Sequence, residues 1–227
     1  MMNLRLARGW HVVVALLVSA AIVLQLWIAV RVSATPPGHA VGTLAGTQMS
    51  NRVLRVLSFF TIQSNILSGL ASAQLARNPT RDGRLWRAVR LASLFGITVT
   101  GLVYATVLAK VHEPHGWQEA STNIVFHYIV PIMMVLGWLL FGPRRRIEGR
   151  TIMLAILWPI AWAIYSLIHG AITKWYPYPF LDVNTHGYVR VIVNAVAVVA
   201  VLLVVTGLYW LGDQRLRATD SGPGLEG

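Results

Sequence analysis

Cysteine is absent from the 227 residues, which excludes disulfides, thiolate metal sites, a Cys nucleophile and iron–sulfur ligation. Charge is scarce as well: only 12% of residues are charged, about half the usual share in a soluble domain. Acidic residues are scarcest, with 8 Asp+Glu against 19 Lys+Arg. Lysine is nearly missing from the basic set and appears only at Lys110 and Lys174. A net charge of +11 often signals nucleic acid. Here the basic residues sit between long apolar runs, so the expected partners are membrane lipids and not nucleic acid. A chain that is 56% hydrophobic is not a disordered one.

Apolar runs of membrane-spanning length occupy residues 12–30, 56–75, 91–109, 124–141, 151–173 and 191–211. A helix satisfies its own backbone hydrogen bonds in lipid, so each run can cross as one. The expected fold is an all-α polytopic membrane protein with six transmembrane helices in a single bundle. Residues 1–211 form that domain, and residues 212–227 form a short flexible cytoplasmic tail. The run 12–30 is too long for a typical cleaved leader and is read as the first span. Pro36-Pro37-Gly38, Pro114 and Pro177-Tyr178-Pro179 mark the connections on one side.

Basic residues set the orientation. With the N-terminus inside, the inner segments hold Arg5, Arg8, Arg77, Arg81, Arg84, Arg87, Arg90, Arg144, Arg145, Arg146, Arg150, Arg215 and Arg217. The outer segments hold only Arg31, Arg52, Arg55, Lys110, Lys174 and Arg190. Both termini are therefore expected inside, with anionic headgroups answering the inner arginines.

Polar residues within the spans are costly in lipid and tend to face the bundle interior. Gln25 precedes Arg31 by six residues, Thr61 follows Arg55 by six, and Tyr104 precedes Lys110 by six. His169 precedes Lys174 by five, Asn194 follows Arg190 by four, and His127 follows Thr122, taken as its helix start, by five. At about 1.5 Å per residue, every helix places one hydrogen-bonding side chain roughly 6–9 Å below the outer surface. This layer predicts a polar cavity in the outer half of the membrane. Hydrogen bonding between helices is the competing use for such residues.

Ser58, Thr61, Asn65, Ser68 and Ser72 recur at helical spacing and are expected on one face of the second span. Gln63 is expected to point elsewhere. Asn123 and His127 share a face of the fourth span. A hydroxyl and an imidazole at one depth form the minimal pair for nucleophilic catalysis. Asn65, Asn123 or Tyr104 could then donate to an oxyanion. His112-Glu113-Pro114-His115 is read as a polar turn and not a metal site.

Three segments carry a resemblance. They are Phe59-Phe60-Thr61-Ile62-Gln63-Ser64-Asn65, the run from Asn123 through His127 to Pro131, and Tyr178-Pro179-Phe180-Leu181-Asp182-Val183. Together with the six-helix order they resemble the androgen-induced-protein-like family of six-pass membrane proteins, in its bacterial, actinobacterial branch. Animal members hydrolyse fatty acid esters of hydroxy fatty acids with an intramembrane Thr nucleophile and a His. The resemblance places those roles on Thr61 and His127 and implies a lipid ester hydrolase without cofactor or metal. Asp182 and His186 would then line the entrance or orient His127. Two other readings stay open: a haem- or metal-binding membrane electron carrier, with His127 and His169 able to ligate one haem, and a transporter or lipid binder without chemistry.

Overall fold

The computed structural model describes residues 3–31 and 47–217. The expected turn at Pro36-Pro37-Gly38 and the end of the tail lie outside these residues. Eight α-helices make up the described chain: α1 (Leu4–Arg31), α2 (Met49–Ser58), α3 (Phe60–Arg77), α4 (Arg84–Thr106), α5 (Gly116–Ile124), α6 (Val130–Phe141), α7 (Gly149–Thr173) and α8 (Val183–Arg215). A π-helical segment, Val125–Ile129, joins α5 to α6. No strand occurs among the described residues. Five helical segments are long and apolar enough to cross a membrane, and α2 with α3 adds a sixth if that bent pair is one span.

Helix α4 lies at the centre and packs against α3, α6, α7 and α8. Its Leu91, Phe95 and Ile97 are fully buried among Val14 of α1, Val130 and Trp138 of α6 and Tyr209 of α8. The outward faces stay apolar: Leu16, Met153, Ile172 and Val196 are all exposed. An aqueous surface would not tolerate so many aliphatic side chains in a row, whereas lipid tails do. A second cluster surrounds the other end of α4, where Phe60, Tyr104, Leu108, Tyr178, Leu181 and Val191 meet.

The second span departs from expectation. It is broken at Phe59, whose extended backbone (φ −67°, ψ 131°) bends α2 away from α3 by 69°. Ser58 therefore leaves the face it was expected to share, and its hydroxyl meets Leu54 O (2.8 Å) and Tyr165 Oη (2.7 Å). A break in an apolar environment must satisfy every freed backbone group. Gln63 Nε2 donates to Leu57 O, Trp162 Nε1 donates to Ser58 O, and Thr61 N–H donates to Tyr178 Oη. Gln63 thus points away from the Thr61 face and holds the break together.

The fourth span also differs. It begins at Gly116 rather than Thr122 and contains the π turn. Pro131 supplies the local cause. It has no N–H for the His127 carbonyl, and its ring crowds that carbonyl in an α-helix. Val130 N–H instead reaches back to Val125 O, five residues away. Gly101 of α4 leaves room there: a Cβ on it would lie 3.2 Å from His127 O and 3.0 Å from Pro131 Cβ.

At the Arg-rich end, α8 continues to Arg215, four residues into the segment expected as tail. Asp213 explains the extension. It is only 1% exposed and accepts from the N–H groups of Arg145 (2.9 Å), Arg146 (2.7 Å) and Ile147 (2.7 Å). Arg90 donates to Pro143 O and Gly142 O and clasps the same loop. Arg87 pairs with Asp82 and Glu148 nearby, and it holds the Asp82 carboxyl well below the usual carboxylate range. Asp213→Ala strands three donors, at about 1–3 kcal/mol for each that stays buried. The variant is expected to lower the thermal midpoint of the detergent-solubilised protein by several degrees, read by size-exclusion after heating.

Candidate functional site

Thr61 occupies the first turn of α3, directly after the break. Its hydroxyl Oγ1 lies 3.4 Å from His127 Nε2 and 3.1 Å from Tyr178 Oη. The break gives Thr61 this setting. In an unbroken helix its N–H would bond to Leu57 O, but here it donates to Tyr178 Oη at 3.1 Å. Thr61 is buried beneath Tyr178, while His127 and Asn123 are half-buried.

His127 is held from two sides. Its Nδ1 lies 3.0 Å from the Asn123 carbonyl. Its ring stacks on Tyr104, with centroids 3.8 Å apart and an 18° interplanar angle. Asn123 Nδ2 donates to Tyr104 Oη at 2.7 Å, which ties all three residues into one unit. That bond leaves the Tyr104 proton for His112 Nδ1, 3.3 Å away. Burial lowers the His112 pKa, which keeps that ring neutral and able to accept.

Asn65 is fully buried one turn below Thr61. Its Nδ2 donates to Thr61 O (2.8 Å) and Phe126 O (3.4 Å), while its Oδ1 has no partner. The amide groups of Asn65 and Asn123 are thus committed to carbonyl and phenol oxygens. They position α3 and the imidazole; Asn65 Nδ2 uses both of its hydrogens this way, while Asn123 Nδ2 uses one.

The remaining polar residues of the expected layer divide. Gln25 Oε1 accepts from the Thr122 hydroxyl at 2.9 Å and anchors α1 to α5, next to Asn123. Asn194 Nδ2 donates to Phe180 O at 2.9 Å and holds the loop that carries Tyr178. His169 does not join the cluster: its ring packs on Tyr165 and Trp175, and Thr173 is its hydrogen-bond neighbour. Asp182 does not orient His127. Its carboxylate caps α8, accepting from Asn184 N–H and the Thr185 hydroxyl, each at 2.9 Å.

Tyr178 is the site residue that the spacing argument overlooks. It lies outside every apolar run, so a search for polar residues within spans passes over it. Its flanking prolines, Pro177 and Pro179, are the available signal, because each fixes φ and stiffens the loop. Phe59 and Phe180 pack on its ring.

No protein-family model, curated protein or solved structure matches the chain. The geometry carries the functional argument by itself. Among the described residues, no three His, Cys, Asp or Glu side chains gather as a metal site would require. His127 and His169 share no hydrogen-bond or ring partner. A small open cleft lies at the Arg-rich end, lined by Arg81, Arg87, Arg90, Arg146 and Asp213 among others, far along the bundle from Thr61.

Proposed function

We propose that the chain is an intramembrane hydrolase that cleaves a lipid ester, with Thr61 as nucleophile and His127 as base. One observation carries this reading: Thr61 Oγ1 faces His127 Nε2 at 3.4 Å while His127 Nδ1 is tied to a backbone carbonyl. A carbonyl can only accept, so Nδ1 bears the proton and Nε2 offers a lone pair to the hydroxyl. Such contacts are often long before substrate binds and tighten in the reacting complex.

The chain crosses a bacterial cytoplasmic membrane six times, with both termini and the Arg-rich loops inside. The Thr61 site then lies in the outer half of the bilayer, where an ester carbonyl near the headgroup level can reach it. Thr61 Oγ1 attacks the carbonyl carbon and its proton passes to His127 Nε2. The intermediate collapses, the C–O bond to the alcohol breaks, and His127 returns the proton to that oxygen. Water then attacks the acyl-Thr61 ester with His127 again taking the proton, and the acid is released. The resemblance of three segments to the androgen-induced-protein-like family agrees with this chemistry and suggests a fatty acid ester of a hydroxy fatty acid as substrate.

A long-chain fluorophosphonate tests the reading. Wild type in detergent micelles is expected to be labelled at Thr61, located by peptide mass spectrometry, and Thr61→Ala is expected to lose the label while keeping its elution volume. Label retained by Thr61→Ala, or placed on another side chain, overturns the assignment.

A further inference from the structure

The hydrogens of the site can be assigned one by one. His127 Nε2 is a bare lone pair, and the Thr61 hydroxyl is its hydrogen-bond neighbour. If Thr61 donates to Nε2, its oxygen is free to accept from Tyr178, 3.1 Å away. Tyr178 Oη in turn accepts from the backbone N–H of Thr61 at 3.1 Å. The Thr61 hydroxyl, the Tyr178 hydroxyl and His127 Nε2 are then all used. The opposite direction, Thr61 donating to Tyr178, leaves the Nε2 lone pair unanswered. It also strands the Tyr178 proton in a buried position, which costs free energy. Burial pushes the Tyr178 phenol up, so it retains the proton it must donate.

That N–H belongs to the first turn of α3, the positive end of its dipole. It draws electron density from the Tyr178 oxygen, and a donor in such a chain is strengthened by what it accepts. This donor points at Oγ1. In acylation Oγ1 passes through the same charge distribution as it attacks and gives its proton to His127, but an activated ester makes that attack the less demanding half-reaction. In deacylation the C–Oγ1 bond breaks and the electron pair goes to Oγ1, which is briefly an alkoxide before His127 Nε2–H reprotonates it.

We propose that the Tyr178 hydroxyl stabilises the negative charge that returns to Thr61 Oγ1 as the acyl-enzyme breaks down, so that Tyr178 is a catalytic residue of the second half-reaction. This rests on Thr61 being the nucleophile. No proton leaves Tyr178 in the step; its O–H hydrogen bond shortens as charge builds and relaxes when Oγ1 is protonated.

The full chain in micelles, mixed with p-nitrophenyl decanoate, separates the two half-reactions. Tyr178→Phe is expected to release a stoichiometric burst of p-nitrophenol at near the wild-type rate, then to turn over about 10²-fold more slowly, the usual cost of one such donor. Acid-quenched intact mass should show decanoyl-Thr61 accumulating in that variant and not in wild type. A purely structural role would lower burst and turnover together without an adduct. That result, or wild-type turnover by Tyr178→Phe, overturns the proposal while leaving Thr61 as nucleophile. If wild type is never acylated on Thr61, the functional reading fails and this proposal with it. Should Tyr178→Phe fail to fold, 3-fluorotyrosine at position 178 keeps the contacts and sharpens the donor. Faster deacylation supports the proposal, and unchanged or slower deacylation overturns it.

Discussion

Alanine at Thr61 and alanine at His127 are expected to reduce ester hydrolysis equally, and the double replacement to cost no more than either alone. The loss should be about 10³-fold or greater, since general-base assistance alone is worth about 10²–10⁴ and a nucleophile without it is nearly inert. The equality follows from geometry. Thr61 is close to two side-chain groups, His127 Nε2 and Tyr178 Oη, and only the imidazole can take its proton at neutral pH. Each partner is useless without the other, so their effects do not add. Steady-state turnover of a long-chain ester by the two single variants and the double variant measures this directly. Additive losses would mean that the two side chains act in separate steps, and the nucleophile–base pair would have to be abandoned. A His127→Gln variant sharpens the result. Glutamine can still hydrogen-bond Thr61 but cannot carry a proton away, so activity should stay as low as with alanine.

The passes of the bundle are legible in the sequence because lipid imposes one requirement along their whole length. A run such as 191–211 is apolar on every side, and no other element could satisfy its backbone in that medium. The meeting of Thr61 with His127 is legible for a related reason: polar side chains inside apolar runs have nowhere to go but toward each other. The departures from regular helix are harder to read. The bend at Phe59 has no Gly or Pro to announce it. It is held by remote partners, with Trp162 and Tyr178 taking the freed backbone groups and Phe59 packing against Trp175 and Tyr178. Such long-range contacts leave no local pattern. Reading the stripe from Ser58 to Ser72 as one face assumes an unbroken helix, so Ser58 is misplaced. Tyr178 and Asp213 escape for another reason. Both lie beyond the apolar runs, where polar residues look like ordinary loop or tail, yet both are buried against backbone N–H groups. His169 satisfies the depth rule and still faces Tyr165 and Trp175, because depth fixes height along a helix and says nothing of direction around it.

Pro131 does carry a local signal, and replacing it is expected to separate stability from function. The π turn exists because residue 131 cannot donate to the His127 carbonyl. Pro131→Ala restores that N–H and removes the ring that crowds the carbonyl. The segment can then close into a regular α-helix, gaining a hydrogen bond worth about 0.5–1.5 kcal/mol. Closing it turns the imidazole away from Thr61, and a misplacement of about 1 Å is enough to lower the rate roughly 10²-fold. The variant should therefore melt higher than wild type and hydrolyse far less. Gly101 makes the outcome specific, because only a residue without Cβ lets α4 lie this close to His127 O and Pro131. Gly101→Val would also displace His127, but by crowding, and should lower the melting point as it lowers activity. Opposite stability changes with the same functional loss would show that the π turn is maintained for the placement of His127 and not for packing. π turns recur at functional sites for this reason: they aim a side chain at the expense of a backbone bond. Wild-type hydrolysis by Pro131→Ala would mean that the turn is incidental and that His127 reaches Thr61 from a regular helix equally well.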